Sequence, residues 1–359
     1  MTTAPINGFR GLAVLLVLAF HTAIFSGVMP PEPFGVIART GNLGVDLFFV
    51  ISGFCLFLPH ARAALANEPP PTVWAFAIAR AAKILPSYLI TLGVVAIVAV
   101  SYLGPGEIAT NLVAHLTFTQ NAFVDGFGPT ISVFWSLAIE VQFYVLFPLI
   151  APVFRREPIV TAVAMTMTAL AYRYAEAPCC VATESVMREL PSYLDLFAAG
   201  MLSAYLVALL QSRDDYAQRS ARWAPWCAYL TIVQVFAIIG IMRSADMAAF
   251  GWFVAGRTWF GLAAASTMAS ACFSSPWLRR AIANPALSFV SVISYNVYLW
   301  HTIVLIWLRD HGIGGVAQIA IGWPVTFAIS TAVTYLIERP ILRRAKTWRP
   351  LIARKAVPT

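Results

Sequence analysis

The chain has 359 residues, 60% of them hydrophobic and only 11% charged, with a mean hydropathy of +0.76. A soluble protein carries roughly 25% charged residues and could not hide this much apolar surface; a bilayer can, provided every backbone group is bonded internally, which here means helices. The net charge of +8 sits in short clusters between apolar runs, the pattern of topology signals and not of a nucleic-acid surface, and no segment alternates with the period of two that an outer-membrane barrel needs.

Apolar runs long enough to cross a bilayer recur in chain order at 11–29, 43–59, 85–103, 134–154, 158–175, 190–211, 224–242, 252–273, 286–308 and 316–338. The first could pass for a signal peptide, but nine more follow it, and it reads as a retained helix. The fold class predicted is all-α: a polytopic integral membrane helical bundle of about ten spans. With the N-terminus placed inside, 18 of the 24 Lys and Arg fall on the cytoplasmic side, so the positive-inside rule puts both termini in the cytoplasm. Residues 1–345 form one transmembrane domain, and 346–359 a basic cytoplasmic tail. The outer segment 104–133 has no Lys or Arg, is moderately apolar at 109–118, and carries a turn signal at Asp125-Gly126-Phe127-Gly128-Pro129. It reads as a surface loop, or else as a lid or re-entrant segment over an outward-facing cavity. The cysteines (Cys55, Cys179, Cys180, Cys227 and Cys272) are odd in number and lack metal-ligand spacing; no metal is expected.

Ionisable residues within apolar spans carry the functional signal, because mid-depth charge is costly. Arg10 and His21 are eleven residues apart in the first span. That spacing puts them on one helix face about 16 Å apart, with Arg10 at the inner interface and His21 near the bilayer centre. A central imidazole can take a proton from an acceptor hydroxyl, or carry an acyl group, or simply bond a neighbouring helix. Asp46 lies near the outer end of the second span. Arg80 and Lys83 share a face at the start of the third, with Pro86 near the helix start. The pair serves topology or lipid headgroups, or, as a planar fork beside a point charge, binds phosphate. In the fourth span Ser136, Glu140 and Tyr144 make one polar stripe. Glu140 could orient His21, hold an acceptor hydroxyl, or make an interhelical hydrogen bond. In the ninth, Ser294, Tyr298 and His301 share a face; structural roles come first for these and for Asp46, with acceptor binding as the sharper reading for Tyr298 and His301. Glu338 at the inner end of the tenth is placed to pair with Arg10.

No Walker loop, GxGxxG, HExxH, GxSxG or paired CxxC is present, so P-loop, nicotinamide and zinc-hydrolase chemistries lack support. The intramembrane His and Glu leave three classes open: an enzyme using the imidazole as base or acyl carrier, a proton-coupled transporter, or an inert assembly scaffold. No symmetric halves or paired broken helices favour the transporter.

Several motifs agree on the enzyme. Phe9-Arg10-Gly11-Leu12-Ala13 leading to His21 resembles the opening of the acyltransferase-3 family of membrane acyltransferases. So do Gly44-Val45-Asp46-Leu47-Phe48-Phe49-Val50-Ile51-Ser52-Gly53-Phe54, Arg80-Ala81-Ala82-Lys83-Ile84-Leu85-Pro86, Trp135-Ser136-Leu137-Ala138-Ile139-Glu140, Ser294-Tyr295-Asn296-Val297-Tyr298-Leu299-Trp300-His301 and Glu338-Arg339-Pro340. The resemblance implies ten spans in a bacterial inner membrane. It also implies transfer of an acetyl or similar acyl group from cytoplasmic acyl-CoA to a hydroxyl of a glycan, lipid or small-molecule acceptor. It casts His21 and Arg10 as the motif's catalytic pair, and raises Arg80 and Lys83, with Arg10, to candidate coenzyme A phosphate ligands. The esterase-like domain fused to some members is not expected here, and homodimerisation is left open.

Overall fold

The computed structural model describes residues 4–32, 34–123, 133–182, 188–244, 250–345 and 347. The turn read at Asp125–Pro129 and the tail read at 346–359 (Thr347 apart) lie outside them, as do the side chains of Cys179 and Cys180. Helices account for the order, and no strand occurs among the described residues. α1 (Ala4–Ser26), a short α2 (Gly35–Thr40), α3 (Leu43–Leu65) and α4 (Val73–Ala99) lead to α5 (Pro105–Leu116) and α6 (Gln120–Phe123). After α7 (Phe134–Arg156) and α8 (Pro158–Ala182) comes α9 (Leu194–Gln211), entered through a 3₁₀ turn at Leu190–Tyr193. α10 (Tyr216–Ser244) precedes α11 (Arg257–Phe273), which is entered through a π turn at Trp252–Gly256. α12 (Pro276–Ile282), α13 (Pro285–Asp310) and α14 (Gly315–Val333) follow, α14 running on through a second π turn at Thr334–Glu338.

Among the described residues, eight helical stretches are long and apolar enough to cross a membrane: α1, α3, α4, α7, Leu190–Gln211, Gln218–Ser244, α13 and Gly315–Ala345. The two remaining expected spans also fall on helices. α8 has 25 residues but carries Arg173 in its second half, and α11 has 17. The chain is an all-α polytopic integral membrane protein. Hydropathy misplaced the start of the third span by the most. α4 begins at Val73, twelve residues before the expected start, so Arg80, Lys83 and Pro86 lie inside the helix. Thr72 caps it by accepting the Ala75 N–H at 3.2 Å, and a helix follows its cap and propensity while a hydropathy window stops at charge.

The described part of the segment read at 104–133 holds two helices, α5 and α6, where a surface loop was one expectation. Pro105 opens α5, and the Glu107 carboxylate accepts the Gly104 N–H at 3.0 Å. Its inward face buries Asn111 and His115, and the Tyr88 hydroxyl donates to the His115 carbonyl at 2.9 Å. Gln142 of α7 donates to the Phe118 carbonyl at 2.8 Å, which ties down the chain beyond the helix.

The chain forms two compact units: Met1–Val17, Glu32–Pro70 and Leu149–Ser291 in the first, Leu18–Pro31, Pro71–Pro148 and Val292–Thr359 in the second. The first is centred on the crossing of α3 and α9. A Cβ on Gly53 would stand 2.2 Å from the Phe197 carbonyl oxygen, and one on Gly200 would stand 2.0 Å from that of Val50. Two glycines therefore let the backbones touch, the usual device where lipid offers no hydrophobic drive for helix pairing. Beside the crossing, Asp46 receives a hydrogen bond from Arg257 at 3.0 Å, and Arg257 also donates to the Tyr193 hydroxyl at 3.0 Å. Arg173, 1% exposed, donates to Asp195 at 2.6 Å and to Thr258 at 2.7 Å. These bonds join the start of α3, the start of α9, the start of α11 and the late part of α8, four ends that alternating spans bring to one side.

Candidate active site

The second unit collects most of the residues singled out in the sequence. His21 lies on α1 past its midpoint, and its Nδ1 is 3.2 Å from Nε2 of His301 on α13. His301 is completely buried, and its Nδ1 lies 2.8 Å from the Tyr298 carbonyl and 3.1 Å from that of Val297. His21 is half-buried in an aromatic surround, stacked at 6.0 Å on Phe25 and edge-on to Phe20 at 5.1 Å. The adjacent Thr22 hydroxyl accepts the Trp323 indole N–H at 3.0 Å, which fixes α14 against this turn of α1. The expected mid-span imidazole is thus held by a second one.

Tyr298 and Ser136 meet one helical turn from His301. Their hydroxyls are 2.5 Å apart, and Tyr298 donates to the Val133 carbonyl at 2.8 Å, at the first turn of α7. Both are buried. Glu140, one turn further along α7, accepts the Tyr144 hydroxyl at 2.5 Å. Tyr144 in turn faces Arg80, whose guanidinium lies 5.6 Å from its ring and 5.7 Å from that of Phe76. An Arg held between two aromatic faces keeps its charge while losing conformational freedom.

Lys83 does not stand as a lone cation beside Arg80. It forms an ion pair with Glu338, which is 2% exposed and also accepts from Asn296 at 3.1 Å. The expected pairing of Glu338 with Arg10 is replaced by this one, because the π turn at Thr334–Glu338 lies against α4 and offers the carboxylate there. Arg10 belongs to the first unit, where its Nη2 is 3.4 Å from Cys55 Sγ. Asp46 likewise sits in the first unit, in the Arg257 network.

A ruler is built into α13. Lys83 Nζ lies 5.4 Å from the Tyr295 ring, and the Tyr295 hydroxyl donates to the Ile84 carbonyl at 3.0 Å. His301 is six residues further on, a rise of about 9 Å. The basic layer and the imidazole layer are therefore about 9 Å apart along α13, with Glu140 between Ser136 and Tyr144 on the facing helix. Reading the sequence missed Asn296, which bonds both Glu338 and Thr334, and His115. Arg173 and Arg257 were likewise not singled out, although Arg173 stands inside the apolar run 158–175 and an arginine there signals a buried partner.

Comparison with known proteins places the chain in a family. A family model described as an acyltransferase domain matches residues 4–339. The exopolysaccharide production protein ExoZ of Rhizobium meliloti (strain 1021) is 28% identical over 326 residues, covering 86% of this chain and 92% of that one. A protein of Staphylococcus aureus (strain COL) is 22% identical over 96% of the chain, which spans 58% of that relative's length. The peptidoglycan O-acetyltransferase OatA of Listeria monocytogenes serovar 1/2a is 31% identical over 163 residues, 42% of this chain and 24% of that protein. No solved structure matches the chain. With the motifs in order, the helices in place and the match running almost end to end, this membrane protein belongs to the acyltransferase-3 family.

Proposed function

We propose that the protein is an O-acyltransferase that moves an acetyl or similar acyl group from cytoplasmic acyl-CoA to a hydroxyl of a glycan, lipid or small-molecule acceptor. The observation that carries this reading is the half-buried His21 imidazole, hydrogen-bonded to His301 and one helical stretch away from a basic layer. In this reading Arg80 and Lys83 receive the phosphates of the donor at the inner face. The thioester then reaches the level of the histidines through the apolar interior. Arg10 enters only through its motif with His21. The names of relatives, which include exopolysaccharide production and peptidoglycan O-acetylation, favour a glycan acceptor and a bacterial inner membrane.

The chemistry asks for a base and for restraint of the acceptor. His21 takes the hydroxyl proton as the oxygen attacks the thioester carbon; the carbon–sulfur bond breaks, and the proton passes to the departing thiolate. Glu140, between the two layers, tunes or orients the groups around it. Tyr298, Ser136 and His301 line the acceptor's side of the same layer.

The test is acetyl-CoA binding by calorimetry in detergent, together with transfer to an acceptor, for wild type, His21→Ala, Arg80→Ala and the double variant Lys83→Met/Glu338→Gln. His21→Ala is expected to bind the donor and lose transfer by a factor of about 10² to 10⁴, whereas Arg80→Ala loses binding. A wild-type protein that binds neither acetyl-, succinyl- nor longer acyl-CoA would sink the reading and leave proton-coupled transport in its place.

A further inference from the structure

His301 makes a contact that decides more than packing. Its Nδ1 lies 2.8 and 3.1 Å from two backbone carbonyls, those of Tyr298 and Val297. Carbonyl oxygens only accept, so this nitrogen carries the hydrogen. In the neutral ring the other nitrogen, Nε2, is then an acceptor. It faces His21 Nδ1 at 3.2 Å, and two lone pairs cannot share a hydrogen bond, so His21 Nδ1 must be the donor. We infer that His301 is a positioning residue: it fixes His21 in the Nδ1–H tautomer and thereby sets the basic lone pair on Nε2. The inference rests on the general-base reading given above.

The energetics follow from chemistry of the ring. A free imidazole interconverts between tautomers, and a base whose lone pair sits on the wrong nitrogen does not act. Two carbonyls of α13 transmit the orientation of one helix to the proton inventory of another through a buried ring. When His21 takes the acceptor's proton on Nε2 it becomes an imidazolium whose Nδ1–H still donates to His301. The added charge thus meets an oriented acceptor and needs no rearrangement. The proton then leaves from Nε2 to the thiolate, and His301 ends as it began. A dipole fills the place that a carboxylate takes in a Ser-His-Asp triad, consistent with the cost of a carboxylate at full burial in an apolar span.

The experiment is nitrogen NMR of the detergent-solubilised full chain labelled at histidine, with the His21 signal assigned by its loss in His21→Ala, beside kinetics of three variants. Wild type is expected to show a protonated Nδ1 and an unprotonated Nε2 at His21. His301→Leu removes the acceptor: the tautomer reverts to a mixture and kcat falls about 10²-fold or more, while acetyl-CoA binding stays as in wild type. His301→Gln, whose carbonyl oxygen reaches the place of Nε2, restores both the tautomer and most of the rate. An Nε2–H tautomer in wild type overturns the inference even if His21→Ala is inactive, in which case the general-base reading survives alone. Full activity in His301→Leu overturns it as well. Full transfer activity in His21→Ala removes the base itself, and with it the role given to His301.

Discussion

Single residues in this chain are governed by how each buried polar group finds a partner. His115 on α5, outside the spans, shows the rule away from the active centre. Burial holds its imidazole below the ordinary value of 6.5, opposed in part by the bond between its Nδ1 and the Asn111 carbonyl. The folded state therefore binds less proton than the unfolded chain once the pH drops below about 6.5. The stability contributed by His115 is present above that value and is lost as the pH falls through the lower folded value. The protection factors of the amides of residues 105–118 against hydrogen exchange, taken relative to the intrinsic rate at each pH, are expected to fall between pH 7.5 and pH 5, and His115→Gln to flatten that dependence. An identical pH response in His115→Gln would refute the assignment. Lys83 obeys the same rule with opposite consequence for design. Removing it alone leaves Glu338 buried with only neutral partners, at a cost of up to about 3 kcal/mol, less whatever the partial exposure of Lys83 screens. Lys83→Met/Glu338→Gln removes both charges together and is expected to melt within about 1 kcal/mol of wild type. A larger loss in the double variant than in Lys83→Ala would show that the pair is more than mutual compensation.

At the level of elements, helices here meet through small residues and buried ion pairs and not through interdigitating large side chains alone. Gly53→Ala or Gly200→Ala drives a methyl into a facing backbone carbonyl, which only a shift of α3 from α9 can relieve; overpacking of that kind costs roughly 1–3 kcal/mol. Thermal melting in detergent should fall for either substitution, while Gly93→Ala, on a glycine with nothing within 4 Å, serves as the control. The Arg173–Asp195–Thr258 cluster is a second such fastening. Arg173→Leu strands a buried carboxylate and is expected to destabilise the first unit by about 3–5 kcal/mol. Arg173→Lys keeps the charge and loses the fork, so it should fall between. A melting point unchanged in Arg173→Leu would mean that the cluster is bonded for reasons other than stability.

For the whole molecule, the consequence is orientation. The charge bias puts Ser101, after α4, on the outer face and Arg280, on α12, on the inner one; both are exposed. Ser101→Cys is expected to react with an impermeant thiol reagent in intact cells, in a background lacking the native cysteines, and Arg280→Cys only after permeabilisation. The reverse pattern would invert the topology and with it the side of donor entry proposed above.

The amino-acid sequence by itself determined the solvent, the helical class, the approximate spans and the residues whose burial needs explaining. Each of these follows from local quantities: hydropathy over a window, charge along the chain, and the period of 3.6 that puts Ser136, Glu140 and Tyr144 on one face. The family's motifs were legible for the same reason, as short runs in fixed order. Pairing was not. That Lys83 pairs with Glu338, that Arg173 is buried against Asp195, that residues 105–116 fold as a helix with His115 inward, and that His21 faces His301 all depend on residues 22 to 280 positions apart. Which side chain closes a hydrogen bond across helices depends on rotation and register. Those are set by the close packing of all the helices in a unit at once, so only the tertiary structure decided them.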